Sequence, residues 1–196
     1  MTAKPSYRDR NQMTLREALV AAARDLTVSA GWDNVRMIDV ATAVGVSRQT
    51  VYNEFGGRSG LAEELATTEI QRFATAVRNE LFAHGGDVRQ AGRAAIAHVL
   101  NEAAENPLVS GILRSDRAGG AELLPYLSTR ADVILAAAGQ IIVEWASVHL
   151  PQLDAAVVNV GADSIVRLTV SHIVLPADSP EESADALAEV FVRLLR

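Results

Sequence analysis

The sequence predicts an all-α protein: an N-terminal three-helix helix-turn-helix unit followed by a larger helical part. Three observations predict it. Apolar residues recur at three- and four-residue spacing through most of the chain, which is the helical period. From Gly57 onward no strand-like alternation is evident. Glycine, proline and capping residues punctuate the chain at helix-length intervals.

The first elements are short. Lys4, Arg8 and Arg10 stand in a polar leader, read either as an arm for a minor groove or as a solvated terminus. Thr14 and Glu17 form a capping-box signature. Leu15, Leu19, Ala22 and Leu26 then step along one helical face, and Gly31 ends the segment. A second helix is expected from Met37 to Val44, with Val40, Ala41 and Val44 on one face and Gly45 as its C-terminal stop. Arg36 has no oxygen with which to cap this helix. Either Arg36 starts it and faces a phosphate, or Asn34 caps one turn earlier. Val46 packs into the corner and Ser47 caps a third helix. Val51 and Phe55 point to the core. Arg48 with Tyr52, and Gln49 with Asn53, pair four apart on a polar stripe. Short polar side chains at the start of such a helix reach base edges in a major groove. The same helix, glycine and helix also occur in proteins that never touch DNA.

The remainder reads as consecutive helices. The spacing predicts one over about 59–83, ending at Gly85-Gly86, and another over about 87–106. A short helix at about 107–115 precedes a Gly119-Gly120 loop. A long one over about 121–149 bends at Pro125 and closes at Pro151. Asp154 caps the next, to about Val174. Ser179-Pro180-Glu181-Glu182 combines an N-cap, an N1 proline and an N3 glutamate for the last. Val158, Gly161, Ile165, Leu168 and His172 form one apolar stripe, and Ala184, Leu187, Phe191 and Leu194 another. Two such hairpins from two chains make a four-helix bundle. Burial of both stripes inside one chain fits equally well.

Composition narrows the class. The 196 residues are 49% hydrophobic, enough for a packed core, and the net charge is −6. Residues 1–60 hold eight basic and six acidic side chains; residues 61–196 hold ten and eighteen. The basic excess therefore sits with the helix-turn-helix, as phosphate binding requires. Cysteine is absent, which fits a reducing compartment, and the N-terminus lacks the apolar core of a signal peptide. The stretch Val133 to Leu150 contains Gln140 and Glu144 and suits a core helix better than a membrane span. His84, His98, His149 and His172 are scattered without ligand spacing, so no metal, cofactor or catalytic constellation is expected.

A more specific pattern runs through the motif. Val40-Ala41, Gly45-Val46-Ser47, Tyr52, Phe55, Arg58 and Leu61 match, residue type by residue type, a known arrangement. Residues 12–61, with the motif at about 37–55, resemble the DNA-binding domain of the tetracycline-repressor (TetR) family. The resemblance implies that Tyr52 and Arg58 hold phosphates, while Arg36, Ser47, Arg48, Gln49, Thr50 and Asn53 meet bases and backbone. Arg58 stands where the family usually has lysine, and Val35-Arg36 where it often has threonine or serine. Residues 62–196 would then bind a small effector and dimerise through the last two helices, the two stripes above. Leu100, Leu108, Ile112, Leu113, Tyr126, Ile134, Ile141 and Trp145 are candidate apolar lining of that pocket, with His98 and Arg114 as polar anchors. Each of them alone also fits ordinary core packing. The implied protein is a cytoplasmic homodimeric repressor, without cofactor or membrane, released from a palindromic operator by an unidentified small molecule. The alternatives are a DNA-binding regulator without effector control, and an all-helical enzyme or carrier whose motif is structural.

Overall fold

The computed structural model describes residues 7–106, 108 and 131–196. Eight α-helices occur among them, with no strand. The expected helix at 107–115 apart from Leu108, the Gly119-Gly120 loop and the Pro125 bend lie outside the described residues. So do Ile112, Leu113, Arg114 and Tyr126, and the side chains of Arg8, Arg10 and Ile134.

The N-terminal helix α1 (Tyr7–Ala30) begins upstream of Thr14. Thr14 and Glu17 therefore lie inside the helix, not at its cap. Once a helix is nucleated each further residue adds a hydrogen bond, and the preceding Arg, Gln and Met are good helix formers. Gly31, at φ 79°, leads into a 3-10 turn (Trp32–Asn34). Helix α2 (Met37–Val44) follows with Arg36 at its N-cap and no side-chain cap. Asn34 does not cap it, because its amide donates back to the Ala30 carbonyl at 2.7 Å. Gly45 at φ 77° stops α2. Ser47 Oγ then accepts the Thr50 N–H at 3.1 Å, starting α3 (Arg48–Phe55).

Helix α4 (Arg58–Phe82) leaves α3 through Gly56-Gly57. A Cβ on Gly60 would lie 2.0 Å from the Phe55 carbonyl oxygen, so the two helices touch backbone to backbone. The first apolar core gathers Leu19 and Ala23 of α1, Val40 and Ala41 of α2, Val51 and Phe55 of α3, and Leu61, Ala62, Leu65 and Ala66 of α4. A division drawn at residue 61 would cut through this core.

The C-terminal body contains α5 (Val88–Glu105), α6 (Ala131–His149), α7 (Ala155–Val174) and α8 (Pro180–Leu194). Asp87, Asp154 and Ser179 each accept a backbone N–H at a helix start. Ser179 and Glu182 complete the capping box read from the sequence. Helix α8 lies along α5, α6 along α7, and α4 spans both cores. Gly92 permits the α5–α8 contact, since a Cβ there would come 2.8 Å from the Phe191 ring.

The two apolar stripes turn inward. Val158, Gly161, Ile165, Ala184, Leu187 and Phe191 are buried within this chain. Gly161 gives close approach to Leu195, whose Cδ2 would lie 2.9 Å from an added Cβ. His172 sits 3.3 Å from the Ser183 hydroxyl, and Leu194 is half-buried. Of the expected interface set only Leu168 is exposed, at 39%. Helix α7 has a second apolar row, Val157, Val160 and Leu168, with Leu175 just past its C-terminus, and these four side chains face outward. Its length and composition alone would let α7 cross a membrane, although a third of its most apolar window is buried inside the chain.

Candidate nucleic-acid interface and apolar cavity

Helix α3 is held from behind and open in front. Val51 and Phe55 are buried, while Arg48, Gln49 and Asn53 are exposed and Thr50 is half-buried. Arg48 Nη2 donates to Tyr52 Oη at 3.1 Å, and its guanidinium lies over the Tyr52 ring. Gln49 Nε2 donates to Asn53 Oδ1 at 2.9 Å. Both pairs sit four residues apart, so the exposed polar row is ordered along the helix. Ser47 and Thr50 hydroxyls meet at 2.9 Å at its start. Tyr52 rests its ring against the core, and Arg36 is exposed beside the start of α2. An exposed helix start carrying amides, a guanidinium and hydroxyls suits base edges and phosphates.

Arg58 points elsewhere. Its Nε donates to the Val35 carbonyl at 3.2 Å and its Nη2 to the Trp32 carbonyl at 2.6 Å. The guanidinium lies 4.8 Å from the centre of the buried Trp32 ring. The planar fork ties the start of α4 to the turn before α2, a geometry an ammonium would not reproduce. This placement runs against the phosphate role expected for Arg58.

Two further arginines repeat the pattern, and sequence reading missed them. Arg16 donates to the Glu54 carbonyl at 2.6 Å, pairs with Glu64 of α4, and covers the Phe55 ring at 4.6 Å. Arg24 Nε bonds Glu69 Oε1 of α4 at 2.8 Å. The Glu69 side chain is only 2% exposed, and Arg72 approaches it at 3.9 Å. Arg16 and Arg24 bracket buried Val20 at four-residue spacing, which places both at the apolar face of α1; that was the available signal.

The second feature is an apolar cavity of about 110 Å³ among α4, α5, α6 and α7, with Phe191 of α8 also in its wall. Its described wall is almost wholly hydrocarbon, including Phe73 and Val77 of α4 and Ile96 and Val99 of α5. Thr169 contributes a hydroxyl, but it donates to the Ile165 carbonyl of its own helix. Ile141, an expected lining residue, is part of this wall. Leu100 and Trp145 instead pack in the body core, where the Trp145 N–H donates to the Gly85 carbonyl at 2.9 Å. His98 stacks on Phe73 and opens onto a separate cleft with Glu69, Arg72 and Glu102. Leu108 lies in the N-terminal core, positioned by Asn106 Oδ1, which accepts its N–H at 3.1 Å. These four leave the cavity because local periodicity marks which face is buried but not which neighbour each side chain meets.

Residues 19–65 match the family described as bacterial regulatory proteins, tetR family, and residues 87–193 match the bacterial tetracyclin repressor C-terminal domain. The HTH-type transcriptional regulator AlkX of Mycobacterium tuberculosis is 31% identical over 185 residues, covering 94% of this chain and 86% of that protein. The solved structure of the TetR-family repressor AlkX from a Dietzia species, implicated in n-alkane biodegradation, is 30% identical with a TM-score of 0.65. It covers 91% of this chain and 94% of its own. RolR in complex with resorcinol shares the fold at 18% identity and a TM-score of 0.54, with 95% and 89% coverage.

Proposed function

This chain belongs to the tetracycline-repressor family of bacterial transcriptional regulators, and from that premise we propose a homodimer that reads a palindromic operator and releases it when a small apolar molecule enters the body. It is a DNA-binding regulator of the repressor type, not an enzyme. One observation carries the reading: the exposed row Arg48, Gln49 and Asn53 on a helix whose other face is buried. Arg pairs with guanine, and Gln or Asn with adenine, in a major groove. Ser47 and Thr50 serve the adjoining backbone, with Tyr52 and Arg36 on phosphates.

The cavity supports the effector half. Its described wall has hydrocarbon and no charged side chain. A dry apolar cavity of about 150 Å³ holds benzene in other proteins, so a compact hydrocarbon group suits this one. The effector releases DNA only by favouring an arrangement that cannot hold both half-sites. The outward row Val157, Val160, Leu168 and Leu175 supports dimerisation, because a partner's helix would cover it. That use also accounts for an apolar α7 in a cytoplasmic protein.

The test is selection from random duplexes with the purified chain. Enrichment of a two-fold symmetric site is expected, and it should disappear in the Arg48→Ala, Gln49→Ala double variant. Enrichment of no site at moderate salt would end the proposal.

A further inference from the structure

Two environments meet at one side chain. Ile70 lines the apolar cavity, and Ile70 also packs against the N-terminal core. Among the described residues no other side chain belongs to both. Its neighbour Glu69 is buried and bound to Arg24 of α1. Just beyond, Phe73 and Val77 face the cavity. Just before, Leu65 and Ala66 lie in the N-terminal core.

We infer that Ile70 is the relay residue: a positioning group through which filling of the cavity displaces the DNA-reading unit. The inference rests on the effector reading above and adds the atom-level route. A close-packed interior transmits displacement because it has little free volume to absorb it. An occupant beside Phe73 presses on Ile70, whose other side bears on the core behind α3. The Arg24–Glu69 pair holds α1 to the same level of α4, so α1 moves with it. Coupling between two sites requires a physical element that both bias, and Ile70 is the side chain they share.

The test measures coupling with a probe of known shape. Toluene is the free occupant, and Ala138→Phe is its tethered equivalent, since Ala138 lines the cavity. Toluene affinity is measured by calorimetry, and operator affinity is measured with and without toluene on the selected duplex. In the native chain toluene and Ala138→Phe should each weaken operator binding, within the about 5- to 150-fold range of ordinary allosteric pairs. In Ile70→Ala toluene should still bind, while its effect on operator affinity should fall to within about twofold of none, far below that range. Ile70→Val, which removes less volume, should give an intermediate effect and serves if the alanine variant folds poorly. Val170→Ala, which alters only the cavity wall, should change toluene affinity but keep the coupling. Undiminished coupling in Ile70→Ala or Ile70→Val, with native coupling intact, would overturn the relay and leave the effector reading standing. Toluene that binds the native chain without changing operator affinity would overturn the effector reading and the relay with it.

Discussion

Arg48 and Arg58 show how differently one residue type behaves within one motif. Arg48 is exposed beside Tyr52, whereas Arg58 is turned onto the carbonyls of Trp32 and Val35. Substituting Gln49 or Arg48 should relax base preference by about 1–3 kcal/mol per lost bidentate contact, read by comparing selected and mutated duplexes. Equal loss on all duplexes would argue for phosphate contact instead. Arg58→Lys keeps the charge but loses the fork. It should lower the melting temperature through about 1–3 kcal/mol of lost hydrogen bonding. The salt dependence of operator binding should stay unchanged, whereas a lost phosphate contact would flatten it by about 0.9 of a unit. The positions of all these residues were legible from spacing. The direction of each guanidinium was not, because it depends on carbonyls 23 and 26 residues away.

At the scale of elements, helix ends were legible because they are made locally. Ser47, Asp154 and Ser179 cap the helices that the sequence assigned to them, and Asp87, expected as the first residue of its helix, caps it instead. Ser179→Ala should cost about 1 kcal/mol of stability, seen as a lower denaturation midpoint. Several surface carboxyls are also held below their ordinary range: Glu182 by the Ser179 hydroxyl and N–H, Glu144 by hydrogen bonds from Arg78, and Asp163 by those from Arg167. A carboxyl whose folded value is lowered stabilises the fold above the ordinary carboxylate range and loses that contribution as acidity protonates it. The melting temperature should therefore fall as pH drops below that range, and Glu182→Gln should remove part of the slope. The apolar stripes of α7 and α8 were legible as stripes but not as to owner. Periodicity reports that a face is buried, and here the chain's own α5 and α8 bury it.

At the scale of the molecule, that ownership separates two kinds of substitution. Val160, 65% exposed, and Leu168 lie on the outward row, so Val160→Glu should yield a folded monomer in sedimentation. Ile165 is buried within the chain, so Ile165→Glu should unfold it rather than split a dimer. A dimer that survives Val160→Glu with Leu168→Glu would place the interface elsewhere. Arg24→Ala should destabilise by about 3 kcal/mol, because it leaves the buried Glu69 carboxylate with only the longer Arg72 contact. Of the cavity's wall, only Ile141 was legible. The wall comes from five helices, and the α4 residues that supply several of its side chains carried no such expectation.

The contact between Gly60 and the Phe55 carbonyl leaves no room even for a methyl group. On the proposed role of α3, a library aimed at a new target site would vary positions 48, 49 and 53, proline excluded, and keep position 60 invariant. Every member of such a library would present its altered surface at the same angle, so differences in preference could be ascribed to the changed side chains alone.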